Sequence, residues 1–121
     1  MGTFTVIRTP AFDLLAREYT RQHPKLDDDL DWLLGRLAEA PEHMGDHVPE
    51  LGGLALPIFK TRCKDSCHRI GASGAWRIYY AVSKPAARVF LLFLHHKKEY
   101  ENPGAKFLLQ KLERAFVSAA K

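Results

Sequence analysis

The chain is poor in cysteine. Among 121 residues there are two, Cys63 and Cys67. That is too few for the disulfide framework by which small secreted domains make up for a thin core. In a reducing compartment both are expected to stay thiols. No apolar run reaches the roughly 18 residues that a membrane span needs, so no membrane partner is expected. Met1 to Pro10 has no basic stretch followed by an apolar run, so no signal peptide is expected there and the expected address is the cytoplasm. No internal repeat, low-complexity segment or linker interrupts the chain. A single domain over residues 1–121 follows.

Metal and nucleotide motifs are also missing. Cys63-x-x-x-Cys67-His68 has no second ligand pair at zinc spacing. No metal or other cofactor is expected. The run Gly71-Ala72-Ser73-Gly74-Ala75 ends in Ala where a nucleophile elbow needs Gly, and it precedes a strand rather than a helix. Nor is it a phosphate-binding Walker loop, and it reads as a flexible turn. His43, Asp46 and His47 read as solvated loop. Asp27, Asp28 and Asp29 read as the first turn of a helix, where negative charge suits the dipole.

Acid is scarce in one half of the chain. Residues 1–50 hold five Lys/Arg against ten Asp/Glu, a net of −5. Residues 51–121 hold thirteen Lys/Arg against Asp65, Glu99, Glu101 and Glu113, a net of +9. The mild overall charge of +4 hides this strongly basic half. Such a half is what an anionic partner requires.

Apolar residues make up 46% of the chain, enough for a real core. Thr3 to Arg8 is β-branched and aromatic and predicts a first strand. Pro10 suits a helix start, and Phe12, Leu15, Ala16 and Tyr19 give residues 11–22 one apolar face. Pro24 stops that helix. Leu26, Leu30, Leu33, Leu34, Leu37 and Ala38 predict a second over 26–40, ended by Pro41. The pair should form an antiparallel hairpin. Residues 41–53 read as loop. Strands follow at 56–64, 75–83 and 87–95, the last apolar throughout and so expected to be central. Phe107, Leu108, Leu112, Ala115, Phe116 and Ala119 predict a C-terminal helix over 104–119. The expected fold class is α+β, in the order β-α-α-β-β-β-α. Its small antiparallel sheet should be backed by the helical hairpin.

Side chains alternate across a strand. Lys60, Arg62 and Lys64 therefore share one face, with Phe59, Thr61 and Cys63 on the other. Trp76, Ile78, Tyr80 and Val82 form an apolar set, leaving Arg77, Tyr79 and Ala81 opposite. If the apolar sets cover one core, Lys60, Arg62, Lys64, Arg77 and Tyr79 lie on one exposed surface. The third of these strands runs into His95-His96-Lys97-Lys98-Glu99-Tyr100. Lys and Arg can hold phosphates while Tyr or His stacks on bases. RNA cleavage by its own 2′-hydroxyl needs a proton acceptor, cations for the developing charge and a proton donor for the leaving oxygen. His, Lys, Arg and Tyr can fill all three roles. Strand edges also carry Lys and Arg simply to stay unpaired.

Phe59-Lys60-Thr61-Arg62-Cys63-Lys64, a loop, then Gly74-Ala75-Trp76-Arg77-Ile78-Tyr79-Tyr80 resembles the RelE/ParE superfamily of bacterial toxin–antitoxin toxins. The apolar strand Val89 to Leu94 ending in His95-His96-Lys97-Lys98 completes the resemblance, which covers about residues 50–110. Gly71-x-Ser73-Gly74 resembles HigB-like members. The resemblance implies a RelE-like fold and metal-independent cleavage of mRNA in the ribosomal A site, with a cognate antitoxin and the ribosome as partners. By motif position Lys60 and Arg62 match the paired basic residues, Arg77 the phosphate-contacting arginine, and Lys97 and Lys98 the basic pair after the last core strand. His95, His96 and Tyr100 are the acid–base candidates, with Lys64 and Tyr79 as RNA contacts. The loop Asp65 to Ser73 is longer than in compact members, and Tyr100 stands closer to the lysines than the family's catalytic tyrosine does. The gyrase-binding ParE branch and an inactive binding module are the alternatives.

Overall fold

Proline, threonine and aspartate punctuate the chain where its first elements change. The computed structural model describes residues 3–51, 56–64, 76–97 and 104–119. Strand β1 (Thr5–Arg8) ends at Thr9, whose buried hydroxyl accepts from the Phe12 N–H at 3.3 Å and donates to the Leu91 carbonyl at 2.8 Å. One side chain thus caps helix α1 (Pro10–Thr20) and ties it to the strand that contains Leu91. Pro10 occupies the first turn, where its missing N–H costs nothing. Arg8 closes the turn with an ion pair to Asp13 at 2.7 Å.

Helix α2 (Leu26–Glu39) has no side-chain cap at Lys25. Its three first-turn aspartates complement the dipole instead. Leu26, Leu30, Leu33 and Leu37 recur at helical spacing, and all four are buried. Each contributes about 1.5–3 kcal/mol by leaving water. Strand β2 (Asp46–His47) and a 3-10 turn (Pro49–Leu51) follow. Strands β3 (Ile58–Cys63), β4 (Trp76–Ser83) and β5 (Arg88–His96) precede helix α3 (Ala105–Ala119).

The fold class is α+β. The strands form one five-stranded sheet in the order β1-β5-β4-β3-β2. β5 lies between β1 and β4 and is buried from Leu91 to His96, as its unbroken apolar run requires. The sheet is mixed rather than wholly antiparallel, because β1 runs parallel to β5. Strand direction follows from how the α1–α2 hairpin carries the chain back, and no local pattern in β1 records that. β2 was expected to be loop. Two residues are too few to show alternation, and their pairing with Lys60 and Phe59 is supplied by the neighbouring strand.

Two cores sit on the two faces of the sheet. Phe12, Leu30, Leu33 and Leu37 from the hairpin pack on Phe59, Trp76, Ile78, Tyr80, Leu91 and Leu94. Leu108, Leu112 and Ala115 of α3 pack on Ile58, Tyr79, Ala81, Leu92 and Phe93. α1 also reaches α3, where the Ser118 hydroxyl accepts from the Ala11 N–H at 3.4 Å. No helix among the described residues is long and apolar enough to cross a membrane.

Candidate nucleic-acid interface

The register of three strands sets the basic residues side by side. Across β3 and β4, Lys60 faces Tyr79 and Arg62 faces Arg77. Across β4 and β5, Arg77 faces His95 and Tyr79 faces Phe93. Cross-strand partners share a face. Arg62, Arg77 and His95 therefore form one row, and Lys60, Tyr79 and Phe93 form the next. α3 covers only part of this face. Arg62 is left exposed, and Lys60 and Arg77 are half-buried.

Two guanidinium side chains directly opposed on one sheet face repel each other. The effect shows in Arg77, whose pKa is lowered first by burial and then by the Arg62 charge, with Tyr79 acting the other way. The Arg77 Nη1 reaches the Trp76 carbonyl at 3.5 Å. An anion placed between Arg62 and Arg77 would relieve both penalties. A phosphodiester suits them, because a guanidinium fork can donate to two phosphate oxygens at once.

Tyr79 belongs to this face but not to its surface. It is only 3% exposed, packed in the α3 core, and its ring stacks on His95 at 5.8 Å between centroids. Burial raises its phenol pKa, with Arg77 partly offsetting the shift. The expectation of an exposed, base-stacking Tyr79 is corrected. Alternation identifies a face, whereas the part of that face covered by a later helix depends on where the helix docks.

A register shift in β5 separates the two histidines. Tyr79 pairs with Phe93 while Tyr80 pairs with Leu91, so Leu92 is an extra residue in the ladder. Uninterrupted alternation from Phe90 would put His96 on the basic face. The bulge puts His95 there instead. His96 turns to the hairpin face and packs edge-on to Trp76 at 4.8 Å and stacked on His23 at 5.4 Å. Both histidines are buried, His95 at 1% exposure and His96 at 4%. His96 therefore sits in an aromatic cluster on the hairpin face, away from the arginine row. The His95 Nδ1 lies 3.4 Å from the His96 carbonyl.

Lys64 is likewise separated from the arginine row. It follows the end of β3, and its Nζ stands 5.2 Å from the centre of the Trp32 ring on α2. Lys97 lies half-buried just after β5. Lys98, Tyr100, Cys67, His68 and the Gly71–Gly74 turn fall outside the described residues. Cys63 is buried, as alternation predicted, and its thiol reaches the Asp29 carbonyl at 3.5 Å. Lys84 is exposed and pairs with Glu42 at 3.2 Å, as ordinary surface charge does. Among the described residues no three His, Cys, Asp or Glu side chains converge in a way that could hold a metal.

No protein-family model matches this sequence, and no curated protein matches it closely enough to count as a relative. The residues must therefore carry the functional argument themselves. Trp32 is one residue that the sequence pattern passed over. It falls outside the apolar stripe of α2, and 42% of it is exposed. A tryptophan at a solvent position was the signal available.

Proposed function

We propose that this protein is a RelE-like toxin, a ribosome-dependent mRNA endoribonuclease held in check by a cognate antitoxin. The observation that carries the reading is the opposed Arg62–Arg77 pair with Lys60 beside it on a half-covered sheet face. Two guanidinium forks and an ammonium on one sheet face offer the donors that a phosphate needs. The succession of elements and the motif spacing around Lys60, Arg62 and Arg77 support the same family.

The chemistry needs no group beyond the RNA and the protein. The 2′-oxygen attacks the adjacent phosphorus while its proton passes to a base. The new P–O2′ bond forms as the P–O5′ bond breaks, and an acid protonates the departing 5′-oxygen. The products are a 2′,3′-cyclic phosphate and a 5′-hydroxyl. Arg77 and Arg62 stabilise the extra charge on the equatorial oxygens, and Lys60 holds the neighbouring phosphate. The motif implies His95, Lys97, Lys98 and Tyr100 as proton carriers, and of these His95 is buried against Tyr79.

The burial of both histidines favours a second reading, a binding module without catalysis, of which a ParE-like gyrase binder is one form. Expression of the intact chain without an antitoxin separates the two. The nuclease reading expects growth arrest with mRNA cut at codons in the A site, and loss of both in Arg77→Ala. Arrest that persists in Arg77→Ala with gyrase-linked DNA breaks would sink it. His95→Ala that cleaves as fast as wild type would remove histidine from the proton transfers.

A further inference from the structure

A second feature adjoins the arginine row from the far side of β3. Trp32, His43, Asp46, Lys60 and Arg62 line an open cleft of about 490 Å³, with Met44, Gly45 and Thr61 completing its wall. Lys60 and Arg62 thus belong both to the cleft and to the basic face. The cleft opens at the edge where β2 pairs with β3 over only two residues. Its walls join an exposed indole, cations and hydrogen-bonding groups.

The indole is flanked by two cations. The Arg36 Cζ lies 5.3 Å from the Trp32 ring centre, and the Lys64 Nζ lies 5.2 Å from it. Such contacts at exposed positions are worth about 0.5–1 kcal/mol. A nucleobase stacked on an aromatic ring is worth about 1–3 kcal/mol. The base therefore wins the ring face, and the displaced ammonium or guanidinium is left beside the phosphate that arrives with it. Asp46 can accept from a base N–H, and His43 can offer a further polar contact.

We propose that this cleft holds an unpaired base of the same RNA strand, next to the phosphate gripped by Arg62 and Arg77, with Trp32 as its stacking platform. This rests on the reading of the basic face as an RNA site. It adds that the strand crosses the β3 edge, with Lys60 and Arg62 holding consecutive phosphates. A protein segment could use the same indole. The continuity of the cleft with the basic sheet face favours a polyanion.

The test uses the full-length chain and a fluorescein-labelled 12-nucleotide RNA with 2′-O-methyl sugars, which cannot be cleaved. Binding is followed by anisotropy over a salt series. Trp32→Ala is expected to weaken binding about 5- to 150-fold. Trp32→Phe should recover most of that loss. The salt slope should stay at the wild-type value, because stacking releases no counterions. Arg77→Ala should instead flatten the slope by about one phosphate contact. Thermal melting confirms that each variant is folded, and the exposure of Trp32 makes that the expected result. If Trp32→Ala binds like wild type while Arg77→Ala is weakened, the cleft proposal fails and the function reading stands. If wild type binds no RNA, the cleft proposal falls, whereas the nuclease reading, which places the message on the ribosome, is decided by the growth-arrest and A-site cleavage assay. If Trp32→Ala keeps RNA binding but releases a co-expressed partner protein, the cleft is a protein-docking site and the RNA proposal is overturned.

Discussion

Arg77→Gln should make the protein more stable and less active. Burial is the larger cost to the Arg77 charge, and Arg62, directly opposite across β3 and β4, adds to it. Opposed like charges on a sheet destabilise by about 0.2–1 kcal/mol. For a domain of this size that corresponds to a melting temperature raised by roughly 1–5 °C when the charge is removed. Arg77→Lys keeps the charge and should bring no such gain. Salt supplies an independent reading, since the screening length falls from about 10 Å at 0.1 M to about 3 Å at 1 M. Wild type should gain more from added salt than Arg77→Gln does. Differential scanning calorimetry at both salt concentrations measures this directly. A melting temperature lowered by several degrees, with an unchanged salt response, would show that the guanidinium holds the fold together. The Arg62–Arg77 pair would then be a structural contact and no sign of an anion site.

Two further substitutions probe the scaffold around the cleft. A Cβ on Gly45 would stand 2.5 Å from the Lys60 carbonyl oxygen and 2.7 Å from the Tyr80 hydroxyl, one of them rigid backbone. Gly45→Ala should therefore cost about 1–3 kcal/mol and loosen the β2–β3 pairing, seen as faster amide exchange at His47 and Lys60. Tyr80 donates to the Pro41 carbonyl at 2.6 Å, and Tyr80→Phe should cost about 1–3 kcal/mol in chemical denaturation by leaving that carbonyl unsatisfied. Burial, then Asp46 and Glu42, raise the Tyr80 pKa above its ordinary value of 10. The folded state holds this proton longer than the unfolded chain does, so its contribution is complete below pH 10 and is lost as pH rises beyond it. Wild type should lose stability above pH 10 faster than Tyr80→Phe, and parallel pH curves would refute the assignment.

The helices were legible because each is written in local code. Pro10 starts α1, and the leucines of α2 recur at helical spacing. That Arg62 and Arg77 share a face was legible too, since it follows from period-2 alternation once the apolar sets of both strands cover one core, whereas their direct opposition came from the register. The two histidines were not separable. Their facing depends on one unpaired residue, Leu92, whose bulge arises where β5 packs against both β4 and α3. Tyr79 was misplaced for a related reason, because only the docking of Leu108 and Leu112 decides which side chains of that face lose water.

By itself the sequence determined the α+β class, the helix boundaries to within a few residues and the basic character of one sheet face. These depend on propensity, capping and alternation, which act over a few neighbouring residues. Tertiary structure alone decided the parallel pairing of β1, the two-residue strand β2, the burial of Tyr79, the opposite facing of His95 and His96 and the cleft that Trp32 lines. Each arises from contact between segments far apart in the chain. Such contacts are set by the packing of whole faces, and no short stretch of residues encodes them.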